Sequence, residues 1–254
     1  MACRARTYTK NRSHAPTRAA AAIPILRRMD YGSVRLHTIV LLLTWLAGTA
    51  LVLVASSAAP LTGADLGLLR ANAGWYAAGY GLFFVADCAI ALMGVSVMAA
   101  LAPEGHFRGP AIVVLFALSG MLGVLADVAM VGAAQLFSTG SPLLAPANAA
   151  TFLDALNTCC NWLSAASFLP AALGTWLAAR SAPASRGWIA FTRISALYQL
   201  VTAILSAASF FAPQSRLTDV ALVAAVIGMP LFAAVWLVWM LRDMKNRISR
   251  EQFA

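Results

Sequence analysis

Charge is scarce in this 254-residue chain: Asp and Glu together number 9, and charged residues make up 11% of the whole. Average soluble domains carry about 25% charged residues, so a water-soluble fold is excluded. Histidine is rarer still. His14, His37 and His106 offer no paired axial ligands on facing segments, which rules out bis-histidine haem binding. The four cysteines, Cys3, Cys88, Cys159 and Cys160, make neither a CxxC metal pair nor a disulfide framework. No HExxH zinc helix, Walker loop or GxGxxG turn occurs, and Ser119 beside Gly120 has no histidine on another segment to activate it. No catalytic residue, cofactor or metal ligand is therefore assigned. Any enzyme chemistry would rest on carboxylates alone.

What the chain has in quantity is apolar sequence, 61% of all residues. It gathers in six runs, over residues 36–58, 75–101, 110–136, 151–179, 187–211 and 217–241, each longer than the ~20 residues a helix needs to cross hydrocarbon. The loops between them are too short to hold a soluble domain. The expected fold is all-α, a polytopic transmembrane bundle of six helices over residues 36–242. Residues 1–35 read as a basic, unfolded tail, because the first 28 contain no acidic residue and show no apolar period. Residues 243–254 read as a second short basic tail, and Met29 offers an alternative start just ahead of the first span.

The cations sort by side. Eight from Arg4 to Arg35, then Arg108, Arg180, Arg186, Arg242, Lys245, Arg247 and Arg250 fall on one side of the runs, against Arg70 and Arg216 on the other. The positive-inside rule makes the crowded side cytoplasmic, an N-in/C-in topology that six spans satisfy. The plasma membrane of a bacterium, its inner membrane, is the expected site. A net charge of +9 is thereby explained by anionic headgroups beside the basic ends, and nucleic acid is not an expected partner. Trp75, Trp176, Trp188, Trp236 and Trp239 lie near span ends as an aromatic belt would, while Trp45 and Trp162 lie deeper and are expected to pack.

Function must be sought in the polar groups that hydrocarbon should reject. Asp87 stands at the middle of the second span, and Asp127 lies about four residues, or ~6 Å at 1.5 Å per residue, to the outer side of the third span's centre. Each costs about 2.5 to 3.5 kcal/mol at that depth, so each should face the bundle interior. One reading makes them a proton or cation site. The other makes them protonated glue, hydrogen-bonded to a neighbouring helix.

Asp154, Asn157, Asn161 and Ser164 follow at steps of three and four, on one stripe of the fourth span that enters from the outer side. That stripe should face other helices and line a wet cavity or hold helices together. Thr151 and Asp154 also form an S/T-x-x-D helix-start signal, and Thr218 with Asp219 reads as a cap of the sixth span. Arg193, about six residues into the fifth span, reads by default as snorkelling to the interface; the sharper reading makes it a counter-ion for Asp87, with Tyr198 and Gln199 continuing the polar path.

The layout resembles a family of six-span bacterial inner-membrane proteins defined only as a domain of unknown function. The resemblance is carried by the span pattern, by residues 75–92 and by Met229-Pro230-Leu231-Phe232-Ala233-Ala234-Val235-Trp236. It implies a helical membrane bundle over residues 36–242 and no site residues. Two functional readings follow: a non-enzymatic membrane partner or sensor, and a small transporter or ion-coupled protein using Asp87 and Asp127 for a small ion or small molecule. Reporter fusions at Thr139 and Ala254 should report the periplasm and the cytoplasm respectively; the same compartment for both would overturn the six-span topology.

Overall fold

In hydrocarbon every backbone N–H and C=O must be satisfied within its own segment, so apolar runs of this length fold as helices. The computed structural model describes residues 18–59, 65–101, 108–140, 146–181, 185–211 and 216–253. They form α1 (Arg18–Ala58), α2 (Leu66–Leu101), α3 (Arg108–Thr139), α4 (Pro146–Ser181), α5 (Arg186–Phe211), α6 (Arg216–Val223), one π-helical stretch (Ala224–Gly228) and α7 (Met229–Phe253). Six of the described segments are long and apolar enough to cross a membrane, the sixth running Ala224–Asn246.

Only 22% to 44% of the residues in the most apolar stretch of each span are buried, and Leu43, Leu92, Val114 and Leu173 are among the large side chains on the outside. An apolar exterior this continuous suits lipid, not water. The protein is an integral, multi-pass membrane protein.

Consecutive helices pack against each other, and α7 returns onto α1, so the six spans close a ring. Apolar surface cannot drive this packing, because lipid is as apolar as the helices; close approach and hydrogen bonds must do it. The α2–α3 seam shows how. A Cβ on Gly94 would collide with the backbone of Val113, one on Gly120 with the backbone of Asp87 and Ala91, and one on Gly123 with the Asp87 carboxyl. These three glycines therefore set the separation of the two helices.

Polar pins add direction. His37 of α1 bonds across to α2, through Nδ1 to Ser96 Oγ at 2.6 Å and through Nε2 to the Ala89 carbonyl at 2.5 Å. A carbonyl only accepts, so the Nε2–H donates to it, and Nδ1 accepts from the serine hydroxyl. At the other end Tyr76 donates to the Ala59 carbonyl at 2.6 Å.

The two ends of the ring are packed differently. At the end where Arg35, Arg108, Arg180 and Arg242 gather, here the basic end, one core draws on all six spans, including Val34, Val97, Ile112, Ala178, Trp188 and Met240. Asp243 ties this end together: it accepts from the Ser185 N–H at 3.1 Å and hydroxyl at 2.8 Å, while Ser185 Oγ caps α5 by accepting from the Trp188 N–H at 3.3 Å. At the opposite end the core of Ala55, Leu69, Tyr76, Phe137 and Leu153 comes from α1 to α4 alone. Among the described residues, neither α5 nor α6 contributes to it.

Several expectations need correction. α1 is helical from Arg18, and α7 runs to Phe253, so helix reaches well into both expected tails; extending a formed helix costs far less than nucleating one, and residues 19–22 are all alanine. α2 starts at Leu66, ahead of its apolar run, where Asp65 Oδ1 accepts from the N–H groups of Gly67 at 2.8 Å and Leu68 at 3.2 Å. α4 starts at Pro146, a residue suited to a first helical position, so Thr151 and Asp154 lie inside the helix and do not begin it. Trp75 and Trp176 are exposed as belt residues, but Trp188 and Trp236 are buried and stacked on each other, 5.9 Å between ring centroids. Trp162, expected to pack inside, is exposed and stacks on Phe210 at 4.4 Å. Cys3, His14, His106 and the side chains of Thr218 and Asp219 lie outside the described residues.

The seam makes a matched pair of substitutions informative. Gly120→Ala should lower stability by about 1–3 kcal/mol, the usual cost of overpacking, whereas Gly132→Ala, which meets nothing within 4 Å, should be neutral. Thermal unfolding of the detergent-solubilised protein followed by size-exclusion recovery measures both. Equal effects would mean that close α2–α3 approach is not what holds the helices.

Candidate functional site

The third-span glycine that admits the Asp87 carboxyl also decides what that carboxyl meets. Asp87 on α2 leans over Gly123, one turn before Asp127 on α3, and the two carboxyl groups hydrogen-bond to each other. A bond between two carboxyls needs a proton on one of them; two ionised carboxylates in contact would repel. Asp127 is 6% exposed, and its Oδ2 is fully buried. Both residues border a space inside the bundle.

That space is a cavity of about 240 Å³ in the middle of the ring. Its wall takes Leu41, Trp45 and Thr49 from α1, Tyr80, Phe83 and Asp87 from α2, Phe116, Ser119 and Asp127 from α3, Ser164, Ser167, Phe168 and Thr175 from α4, Gln199 from α5, and Ala225, Met229 and Trp236 from the last span. Its polar members are the two carboxyls, the hydroxyls of Thr49, Ser119, Ser164, Ser167 and Thr175, and the Gln199 amide, whose Oε1 accepts from Thr175 at 3.3 Å. Six of the others, Trp45, Tyr80, Phe83, Phe116, Phe168 and Trp236, are aromatic.

Toward the basic end the cavity is stopped by stacked rings. Trp236 lies between Phe116 at 6.3 Å and Trp188 at 5.9 Å, and its indole N–H is held by Thr192 Oγ1 at 2.9 Å. Toward the opposite end the wall reaches Ser164, which is exposed. The cavity wall thus reaches the exposed face of α4 at Ser164.

The expected site residues divide into two groups. Asp87 and Asp127 are brought together. Asn157, Asn161 and Arg193 are not in the cavity wall: Asn161 Nδ2 donates to Asn157 Oδ1 at 3.4 Å along the outside of α4. With exposed Asp154 and Ser164 they make a polar strip on α4 that ends at the cavity rim, not an inward stripe. Arg193 is exposed next to Ile194 on the outer face of α5, the snorkelling arrangement; Asp87 finds its partner in Asp127 instead. Tyr198 turns to the last span, donating to the Ala224 carbonyl at 2.9 Å and stacking on Phe232 at 4.3 Å.

Sequence reasoning missed Gln199 as a wall residue in its own right, along with Thr175, Ser119 and the aromatic set, since nothing local marks which face of an apolar helix looks inward. Cys160 is buried with its Sγ 3.5 Å from the Ala126 carbonyl while Cys159 is exposed, as their ~100° separation on a helix requires. Among the described residues, no three His, Cys, Asp or Glu side chains converge as a metal-ligand set. Neither a family model nor a curated protein nor a solved structure matches the chain.

The pair can be tested apart from any activity. Asp87→Asn should keep the protein folded, because an amide still bonds to Asp127. Asp87→Leu should cost about 1–3 kcal/mol by leaving the buried Asp127 carboxyl without its partner. Thermal stability of the purified variants separates them, and a leucine variant as stable as the asparagine one would show that the carboxyl–carboxyl bond does not hold α2 to α3.

Proposed function

We propose that the chain is a small transporter or ion-coupled protein of a bacterial inner membrane, with both termini cytoplasmic and the cavity open to the periplasm. The observation that carries this is a mid-membrane cavity with both intramembrane acids, Asp87 and Asp127, in its wall. Helix–helix glue has no need of a cavity. The fifteen cations on one side of the spans support the orientation. With that orientation the polar strip Asp154, Asn157, Asn161 and Ser164 leads from the periplasmic surface to the rim.

In mechanism, the proton shared by Asp87 and Asp127 is exchanged for a cation that reaches the carboxyl pair, and the stacked Phe116, Trp236 and Trp188 close the cytoplasmic side. Tyr80 and Cys88 on α2 and Cys160 on α4 are the titratable neighbours of the pair among the described residues. The described wall residues of α1, α5 and the last span include none. Release to the cytoplasm requires the ring stack to part, which the π-helical turn at Ala224–Gly228 is placed to allow, since it interrupts the regular helix beside the cavity.

A second reading, a non-enzymatic membrane partner or sensor, is favoured by the direct bond between the two carboxyls, which is what glue would show. Water access distinguishes them. In a background lacking the four cysteines, Asp127→Cys should react with a membrane-impermeant thiol reagent added from the periplasm, and reagent added from the cytoplasm should react at least about tenfold more slowly. No reaction from either side in a folded protein would overturn the transport reading in favour of the dry pair.

A further inference from the structure

We infer that the ligand of this cavity is a small primary or secondary amine, bound as its ammonium ion with an apolar body against the aromatic wall. The inference rests on the cavity being a binding site and names the class of molecule it takes.

Charge comes first. The wall holds two carboxyl groups, and no lysine, arginine or histidine is among its described residues to pair with them. The charge that such a wall complements is that of a cation. Hydrogen bonding narrows it further. The strongest acceptor in the wall is the carboxyl pair of Asp87 and Asp127. An ammonium N–H donates to it in a charge-assisted bond, whereas a quaternary ammonium has no N–H to give and an anion or carbonyl brings a second acceptor.

The rest of the wall decides against a bare metal ion. Hard cations such as Ca²⁺ take six to eight oxygen ligands; the wall sets two carboxyls and a few hydroxyls among Trp45, Tyr80, Phe83, Phe116, Phe168 and Trp236. Such rings suit an organic cation twice over, their faces attracting its charge and their area covering its carbon skeleton. Size sets the limit. At about 240 Å³ the cavity falls below the ~300–1,000 Å³ of drug-sized sites, so the molecule is small, of one ring or a short alkyl chain.

Equilibrium dialysis of the full-length protein in detergent against labelled phenethylamine tests this, with 2-phenylethanol and phenylacetate as neutral and anionic probes of similar size. Phenethylamine should bind saturably at one site, 2-phenylethanol at least about tenfold more weakly, and phenylacetate not at all. Asp127→Asn should weaken the amine at least about tenfold and leave the alcohol unchanged. Equal binding of amine and alcohol by the unsubstituted protein, or an amine affinity indifferent to Asp127→Asn in a variant that elutes as folded, overturns the inference. The comparison of probes needs no variant, so a failure of Asp127→Asn to fold leaves it decisive. Absence of saturable amine binding also overturns it. If Asp127→Cys is then still labelled from the periplasm, the cavity remains a site and only the ligand class falls; if it is not labelled, the site falls too.

Discussion

A carboxyl group at the centre of a hydrocarbon layer has to find its partner there, and the architecture of this protein follows from how two of them do so. Asp87 and Asp127 satisfy each other across the α2–α3 seam, and they reach each other because Gly120 and Gly123 bring the two backbones close. With larger residues at those positions the helices would stand apart and each carboxyl would be stranded, at a cost of several kcal/mol that the remaining polar pins do not offset. Close packing and polar pairing are thus one interaction here, seen from the backbone and from the side chains.

Around that seam the ring is asymmetric. At the basic end, residues of all six spans interlock, and a carboxylate of α7 holds Ser185, the residue that caps α5. At the other end the buried core draws on four spans among the described residues. The last span also passes through a π-helical stretch just before Pro230, whose nitrogen has no hydrogen to return to the helix ladder. The Tyr198 hydroxyl answers the carbonyl of Ala224, and Gly228 leaves it room. An irregular backbone at membrane depth is tolerated where protein or a water-lined space covers it, and this one adjoins the cavity.

Much of the fold was legible in the sequence because lipid imposes a length rule that apolar runs obey visibly. The six spans, the paired depth of Asp87 and Asp127 and the outward Arg193 all come from that rule. What was hidden depends on rotation about the helix axis. In a soluble helix polarity marks the outer face; here lipid and core are both apolar, so Leu43 outside and Leu41 inside look alike on the page. The same ambiguity hid the aromatic wall and sent the polar strip of α4 to the wrong face. His37, bonded to Ser96 and Ala89, and Asp65, capping α2, were missed because each acts through a partner or a geometry that its own sequence neighbourhood does not announce.

The closed ring also sets an order of assembly. Five of its six contacts join helices adjacent along the chain, so each forms as soon as the later helix enters the bilayer, with only a short loop to close. The sixth joins α1 to α7 and waits for the last span. Synthesis therefore ends on the long-range contacts of α7 with α1 and α2, and until they are made the carboxyl pair lies in an unclosed arc, its hydrogen bond already formed but its cavity still without one wall. The seam between the first and last spans is the youngest interface in the molecule and the one held by the least sequence-local structure.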